Sequence, residues 1–176
     1  SLPKAKILEI VARIDVGSIY LLEEKPETII DTAVPSDRVP MVWNTGATGS
    51  AVNIAVLEKD KVSFSTGLLN QGQIRNCPGL IAIDHKTQVA HVAASADFLY
   101  NNKTHTGVAP DATIYDACHN GTQSDAVSSL IWAAGLVDVI STSEVWDNDR
   151  NQHYLDKVFD YWASFGNDTI VAGTDD

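Results

Sequence analysis

Apolar residues in this chain bunch into short runs separated by amphipathic stretches, and the alternation is regular from Ala51 onward. Ala51 to Leu57 (A-V-N-I-A-V-L) is a nearly continuous apolar run of strand length, the pattern of a strand covered on both faces. Leu80 to Ile83 is another short run. Asp84 is placed to cap a helix beginning at His85, along which Val89, Val92, Ala93, Ala96 and Leu99 recur at helical spacing. Thr113 to Ala117 reads as a strand. Ser124 or Asp125 opens a second helix, with Val127, Leu130, Ile131 and Ala134 on one face and Gly135 at its end. Val137 to Ser141 is the next strand. Asn151 to Phe165 reads as a third helix, with Leu155, Val158, Phe159 and Trp162 inward and Gly166 as terminator, and Thr169 to Ala172 as a final strand. Strands alternating with such helices build right-handed βαβ units, so the fold class is α/β, a parallel sheet flanked by helices on both faces.

Ligands and chemistry in sheets of this kind collect at the carboxyl ends of the strands. Those ends carry Glu58 to Asp60, Asp84 and His85, Thr142 to Val145, and Thr174 to Asp176. No helix follows the last strand, and an uncovered sheet edge is a liability. The sheet is therefore expected to be incomplete at its C-terminal end.

The first 40 residues break this rhythm. Ala5 to Ala12 suits a short helix and Ser18 to Leu22 a strand, but Glu23 to Pro40 carries charges, three prolines and few apolar clusters. Residues 1–40 are read as a leading segment or propeptide-like connector, and 41–176 as the domain proper. Asn44 to Ser50 is a glycine-containing turn. Twelve Lys and Arg against 23 Asp and Glu leave a net charge of −11, which makes nucleic acid a poor partner, because binding it needs clustered cations to release counterions. No apolar run reaches the roughly 18 residues of a membrane span, and no charged-then-apolar leader marks a signal peptide.

Several familiar site patterns fall short. Thr45 to Gly49 (T-G-A-T-G) has a strand after its glycines rather than before them, the reverse of a dinucleotide loop, and reads as a turn. The five histidines (85, 91, 105, 119 and 153) include no H-E-x-x-H. Asp147, Asn148 and Asp149 lack the longer glycine-containing pattern of a calcium loop. Cys77 and Cys118 form no C-x-x-C, and their separation leaves open whether they pair. Three N-x-T triplets begin at Asn102, Asn120 and Asn167, too common a pattern to fix a compartment. His85 stands out. It falls in the first turn of a helix just beyond a strand, where the helix dipole keeps imidazole neutral, the form a general base needs.

His85-Lys-Thr-Gln-Val-Ala-His91, Gly107-Val-Ala-Pro-Asp-Ala-Thr-Ile-Tyr115 and Asp138-Val-Ile-Ser-Thr-Ser143 occur in that order. They resemble the H-G-T-H-V-A-G, G-V-A-P-x-A-x-L-Y and D-V-I-N-M-S-L-G stretches of the subtilisin-like serine proteases (subtilases). Thr48 to Glu58 is similar to that family's T-G-x-G-V-x-V-A-V-I-D, and Ile170 to Thr174 to its V-A-A-G-N. The five segments cover roughly residues 40 to 176, and the G-V-A-P block is the most specific.

The resemblance implies a serine endopeptidase fold with His85 at the catalytic histidine position, taking a proton from a serine while an acid stabilises the imidazolium. The acid position carries Glu58, with Asp60 a weaker candidate, and the oxyanion-donor position carries Thr174. Lys86, Gln88 and His91 depart from the motif around the histidine. Glu144 and Val145 replace a Leu-Gly of the substrate groove, where valine would obstruct a peptide and glutamate would set charge beside the first specificity pocket. The G-T-S-x-A-x-P segment bearing the nucleophile is not among the 176 residues, and Ser95, Ser141 and Ser143 lie outside any such motif. An inactive, diverged site is the expectation. The alternative is a non-catalytic binding or scaffold module on the same fold. The resemblance also implies secretion, a peptide or protein substrate if active, and no cofactor beyond a structural calcium that the sequence itself does not support. Without the missing part of the domain, self-association is expected.

Overall fold

The computed structural model describes residues 34, 37–64, 69–100, 102–144, 152–166 and 169–172. The helix and strand expected before residue 23, the Asp147 cluster, Val145 and Thr174 lie outside the described residues. In chain order the elements are α1 (Val39–Trp43), β1 (Asn53–Lys59), β2 (Asn70–Ile74), α2 (Asp84–Ala94), β3 (Phe98–Tyr100), β4 (Lys103–His105), β5 (Thr113–His119), α3 (Gln123–Ala133), β6 (Val139–Thr142), α4 (Gln152–Phe165) and β7 (Thr169–Ala172). Five strands form one parallel sheet in the order β2-β5-β1-β6-β7, and β3 and β4 form a separate antiparallel hairpin.

Strand parity divides the core into two layers. Ile54, Val56 and Ile114 point to one face and pack with Ala90 and Ala94 of α2. Ala55, Leu57, Ala117 and Ile140 point to the other and pack with Leu130 and Ala133 of α3, where Val158, Phe159 and Trp162 of α4 join them. Each large side chain sealed this way contributes about 1.5–3 kcal/mol. The expected α/β sheet with helices on both faces is the fold observed.

Local differences have physical causes. Asp84 is the first helical residue rather than the cap, and α2 stops at Ala94, so Leu99 sits on β3 and is exposed. The helix ends there because another segment satisfies its last carbonyls: the N–H groups of Gly107, Val108 and Ala109 donate to Ser95, Val92 and Ala93. The buried face of α2 is Lys86, Ala90, His91 and Ala94, not the Val89–Val92–Ala93 face that apolar spacing suggests. Thr122, whose hydroxyl accepts from the Asp125 N–H, caps α3, and Ile131 is exposed. Leu80 to Ile83 is irregular chain that meets the segment just after β1 through one isolated bridge, Lys61 to Ala82. β2 (N-Q-G-Q-I) is an edge strand too polar to show in the apolar pattern.

Cys77 and Cys118 are joined in a disulfide, with Cα atoms 6.3 Å apart. The bond ties the loop after β2, which leads to His85, onto the end of β5. Arg75 reinforces it by donating to Cys118 O at 2.9 Å and pairing with Asp125 at 2.7 Å. The Arg75 guanidinium holds the Asp125 carboxyl below its ordinary range.

Candidate active site

The register of the sheet builds the site. β1 and β6 pair with Ile54 opposite Val139 and Val56 opposite Ser141, so two residues further on Glu58 comes beside Ser143. Parity turns both toward the α2 face, where the first turn of α2 delivers His85. The Glu58 carboxylate is sealed, 1% exposed. Its Oε1 accepts from the Ser143 N–H at 3.3 Å and, in a short contact, from the Ser143 hydroxyl. Its Oε2 faces His85 Nε2 at 3.4 Å, and Nε2 also lies 3.4 Å from Ser143 Oγ. The His85 side chain is 66% exposed. A buried acid, a solvent-facing imidazole and a hydroxyl thus meet at the carboxyl ends of β1 and β6.

This grouping unites two of the three residues singled out by sequence, Glu58 and His85. The third, Thr174, lies outside the described residues. Asp60 turns away into a left-handed backbone (φ 65°) and takes part through its carbonyl. Ser143 lies in no nucleophile motif. Its observed role is to supply two donors that keep Glu58 in place, and the signal for it was the register shared by β1 and β6. The nitrogen turned toward the acid is Nε2, whereas in a serine protease triad the acid holds Nδ1 and leaves Nε2 for the nucleophile.

Beneath the site lies a second charged group. Lys86, wholly buried, places its ammonium 2.7 Å from Asp116 Oδ1 and donates to Glu58 O and Asp60 O at 3.0 Å each. Asp116 Oδ2 accepts from the Val62 N–H at 3.0 Å. Burial lowers the Lys86 proton affinity, and the facing Asp116 carboxylate offsets part of that fall.

Glu144 reaches back over the end of β1, because parity points it to the α3 face with Ile140 and Thr142. Lys59 is flanked by His119 on β5 and, two residues past the end of β6, by Glu144. Glu144 Oε1 accepts from the Lys59 N–H at 2.5 Å, and Oε2 lies 3.0 Å from Nε2 of the buried His119. His119 Nδ1 accepts from the Gly121 N–H, so the ring proton sits on Nε2 and points at the carboxylate. Burial alone would raise the Glu144 carboxyl, but the hydrogen bonds from His119 and Lys59 hold it below its ordinary range.

No cluster of three or more His, Cys, Asp or Glu among the described residues is arranged to hold a metal ion, and no described helix is long and apolar enough to cross a membrane. A cleft of about 260 Å³ lies elsewhere, beside the disulfide, between Arg75, Pro78, Leu80 and Asn120.

No protein-family profile matches the chain, and no curated protein matches it. Solved structures do. The serine protease MycP1, described as an essential component of the type VII (ESX-1) secretion system, superposes with a TM-score of 0.56 at 20% identity, covering 84% of this chain and 48% of its own. MycP3 protease from the type VII (ESX-3) secretion system gives 0.56 at 21%, covering 79% and 44%. The patellamide maturation protease PatG gives 0.54 at 9%, covering 86% and 62%. The chain spans about half the length of the MycP structures it matches. At these identities the likeness establishes a subtilisin-like protease fold.

Proposed function

We propose that this chain carries the histidine-bearing half of a subtilisin-like serine endopeptidase site, diverged and without peptidase activity as it stands. The observation that supports this most is the buried Glu58 carboxylate set 3.4 Å from an exposed His85 ring at the carboxyl end of a parallel sheet. In a working site His85 would take the proton of a serine attacking the peptide carbonyl, and Glu58 would stabilise the imidazolium. Two features argue that this chain does not complete the reaction. The Ser143 hydroxyl gives its proton to Glu58, so it is not presented to the imidazole as a nucleophile. The nucleophile segment G-T-S-x-A-x-P is not in the sequence, and threonine stands at the oxyanion position, where losing a donor costs about 10²–10³ in rate. Incubation with casein and with a fluorophosphonate probe is expected to give neither cleavage nor labelling. A labelled serine whose labelling is abolished by His85→Ala would overturn this.

The same reading assigns residues 41–176 to the peptidase domain, an extracellular setting, and a partner. β7 is one of the two edge strands among the described residues, and Tyr161 and Phe165 of α4 and Val171 of β7 are exposed. Exposed edges and apolar surface recruit complementary chains. Light scattering at micromolar concentration is expected to show self-association; a compact monomer would remove the partner.

A further inference from the structure

We propose that Lys86 is the positioning residue of the Glu58–His85–Ser143 group, its ammonium clamping the end of β1 to the start of α2. The proposal rests on reading that group as a functional site. Lys86 follows His85 directly, so whatever holds one holds the other. An ammonium has three donors, and here three acceptors surround it, Asp116 Oδ1, Glu58 O and Asp60 O. Two of the three are backbone carbonyls on either side of Lys59, one of them belonging to Glu58 itself.

The chain needs such a clamp at this point. β1 ends at Lys59, and Asp60 adopts φ 65°, an uncommon conformation for a non-glycine residue though one that aspartate tolerates in turns. Asp60 N–H donates to His119 O, and the Lys61 N–H and carbonyl bond the loop that precedes α2. Lys86 ties the remaining carbonyls from within, and Asp116, held by the Val62 N–H, keeps the ammonium from withdrawing. Dry ion pairs add little stability over apolar substitutes, so their contribution has to be sought in the geometry they impose. The imposed geometry is the approach of a buried carboxylate to an exposed imidazole. The lysine that interrupts the family-like motif after His85 therefore acts as a part of the site.

The test is the rate at which diethyl pyrocarbonate modifies His85 in the full chain, read from the mass of the peptide that carries it, with the other histidines as internal references. A carboxylate facing one ring nitrogen makes the other a better nucleophile. Glu58→Gln is expected to slow His85 by roughly threefold or more, the low end of couplings within one hydrogen-bond network. Lys86→Met/Asp116→Asn removes both charges and leaves an acceptor for the Val62 N–H. It is expected to slow His85 to the same extent, and adding Glu58→Gln to it should slow His85 no further. Asp116→Glu, which keeps the counter-charge and shifts it by one methylene, should fall between parent and double variant, and it carries the test if the double variant does not fold. If Glu58→Gln slows His85 but the Lys86 and Asp116 variants do not, Lys86 has no positioning role. A uniform rise in modification of every histidine would likewise overturn the proposal, by showing general loosening. If Glu58→Gln itself leaves His85 unchanged, the reading of the site fails and the proposal with it.

Discussion

Each face of the sheet carries one glutamate–histidine pair at its carboxyl end, and the two are built in opposite senses. On the α2 face the acid is sealed and the imidazole is open to solvent. On the α3 face the imidazole of His119 is wholly buried and the Glu144 side chain is partly exposed. Charge and residue type are the same, so the difference lies in which partner the fold desolvates. A buried carboxylate fed by Ser143 donors can support an imidazole that meets other molecules. A buried imidazole can only brace its surroundings, and His119 joins β5 across β1 to the segment after β6. Proximity of Glu and His is common to both; access to the ring separates a reactive arrangement from a structural one.

The comparison can be broken in several ways, and the largest effect should come from the charge beneath the α2-face pair. Lys86→Met leaves Asp116 buried without its counter-ion, and the expected loss is about 3–5 kcal/mol, read as a lowered denaturant midpoint. On the α3 face, His119→Phe strips Glu144 Oε2 of its donor within a partly buried setting and leaves Oε1 with the Lys59 N–H. About 1.5–3 kcal/mol should be lost there, as for hydrogen bonds to charged groups. A midpoint unchanged by His119→Phe would show that this pair braces nothing.

Acid should find the two faces in turn. Burial among the α2-face residues, stacked on Phe98 at 5.0 Å between ring centroids, lowers the His91 proton affinity below the ordinary 6.5. Below that pH the unfolded chain takes up a proton that the folded one refuses, so stability declines as pH falls through about 6.5. Glu144 and Asp125, held below their ordinary 4.5 and 3.8, extend the decline further down. Their contribution is complete above those values and is lost on protonation. Thermal melts between pH 8 and pH 3 (roughly the span of these groups) should show both stages, and His91→Gln should remove only the upper one. The smallest effect belongs to the exposed ring, whose removal lets water reach Glu58 Oε2: His85→Ala should cost less than His119→Phe, at most about 1 kcal/mol. A large loss would place His85 among the structural groups.

What the sequence revealed follows the same physics. β1, β5 and β6 announce themselves as apolar runs because helices cover the sheet on both sides of them, and β7 shows as one (T-I-V-A) although most of its residues are exposed at the sheet edge. β2 lies at an edge where polar residues are tolerated, and β3 of the separate hairpin is hidden because Ala96 and Leu99 continue the helical spacing of α2. Glu58 and His85 were visible through motif order. The role of Ser143 needed the β1–β6 register, and that of Lys86 needed Asp116, which in the sequence is only a polar break in the β5 run. The pairing of Glu144 with His119 also needed parity, which sends its side chain to the α3 face.

Gly107 leads the segment that resembles the subtilases most specifically, and its surroundings explain why that block is informative. A methyl group there would lie 2.6 Å from both the His91 carbonyl and the Ser95 nitrogen, so no larger residue lets the G-V-A-P strap lie across the end of α2. The constraint is one of clearance between two pieces of backbone, about as far from bond cleavage as any in the domain. Such a signature certifies architecture and is silent on turnover, so a search built on it will gather proteases and their retired descendants alike.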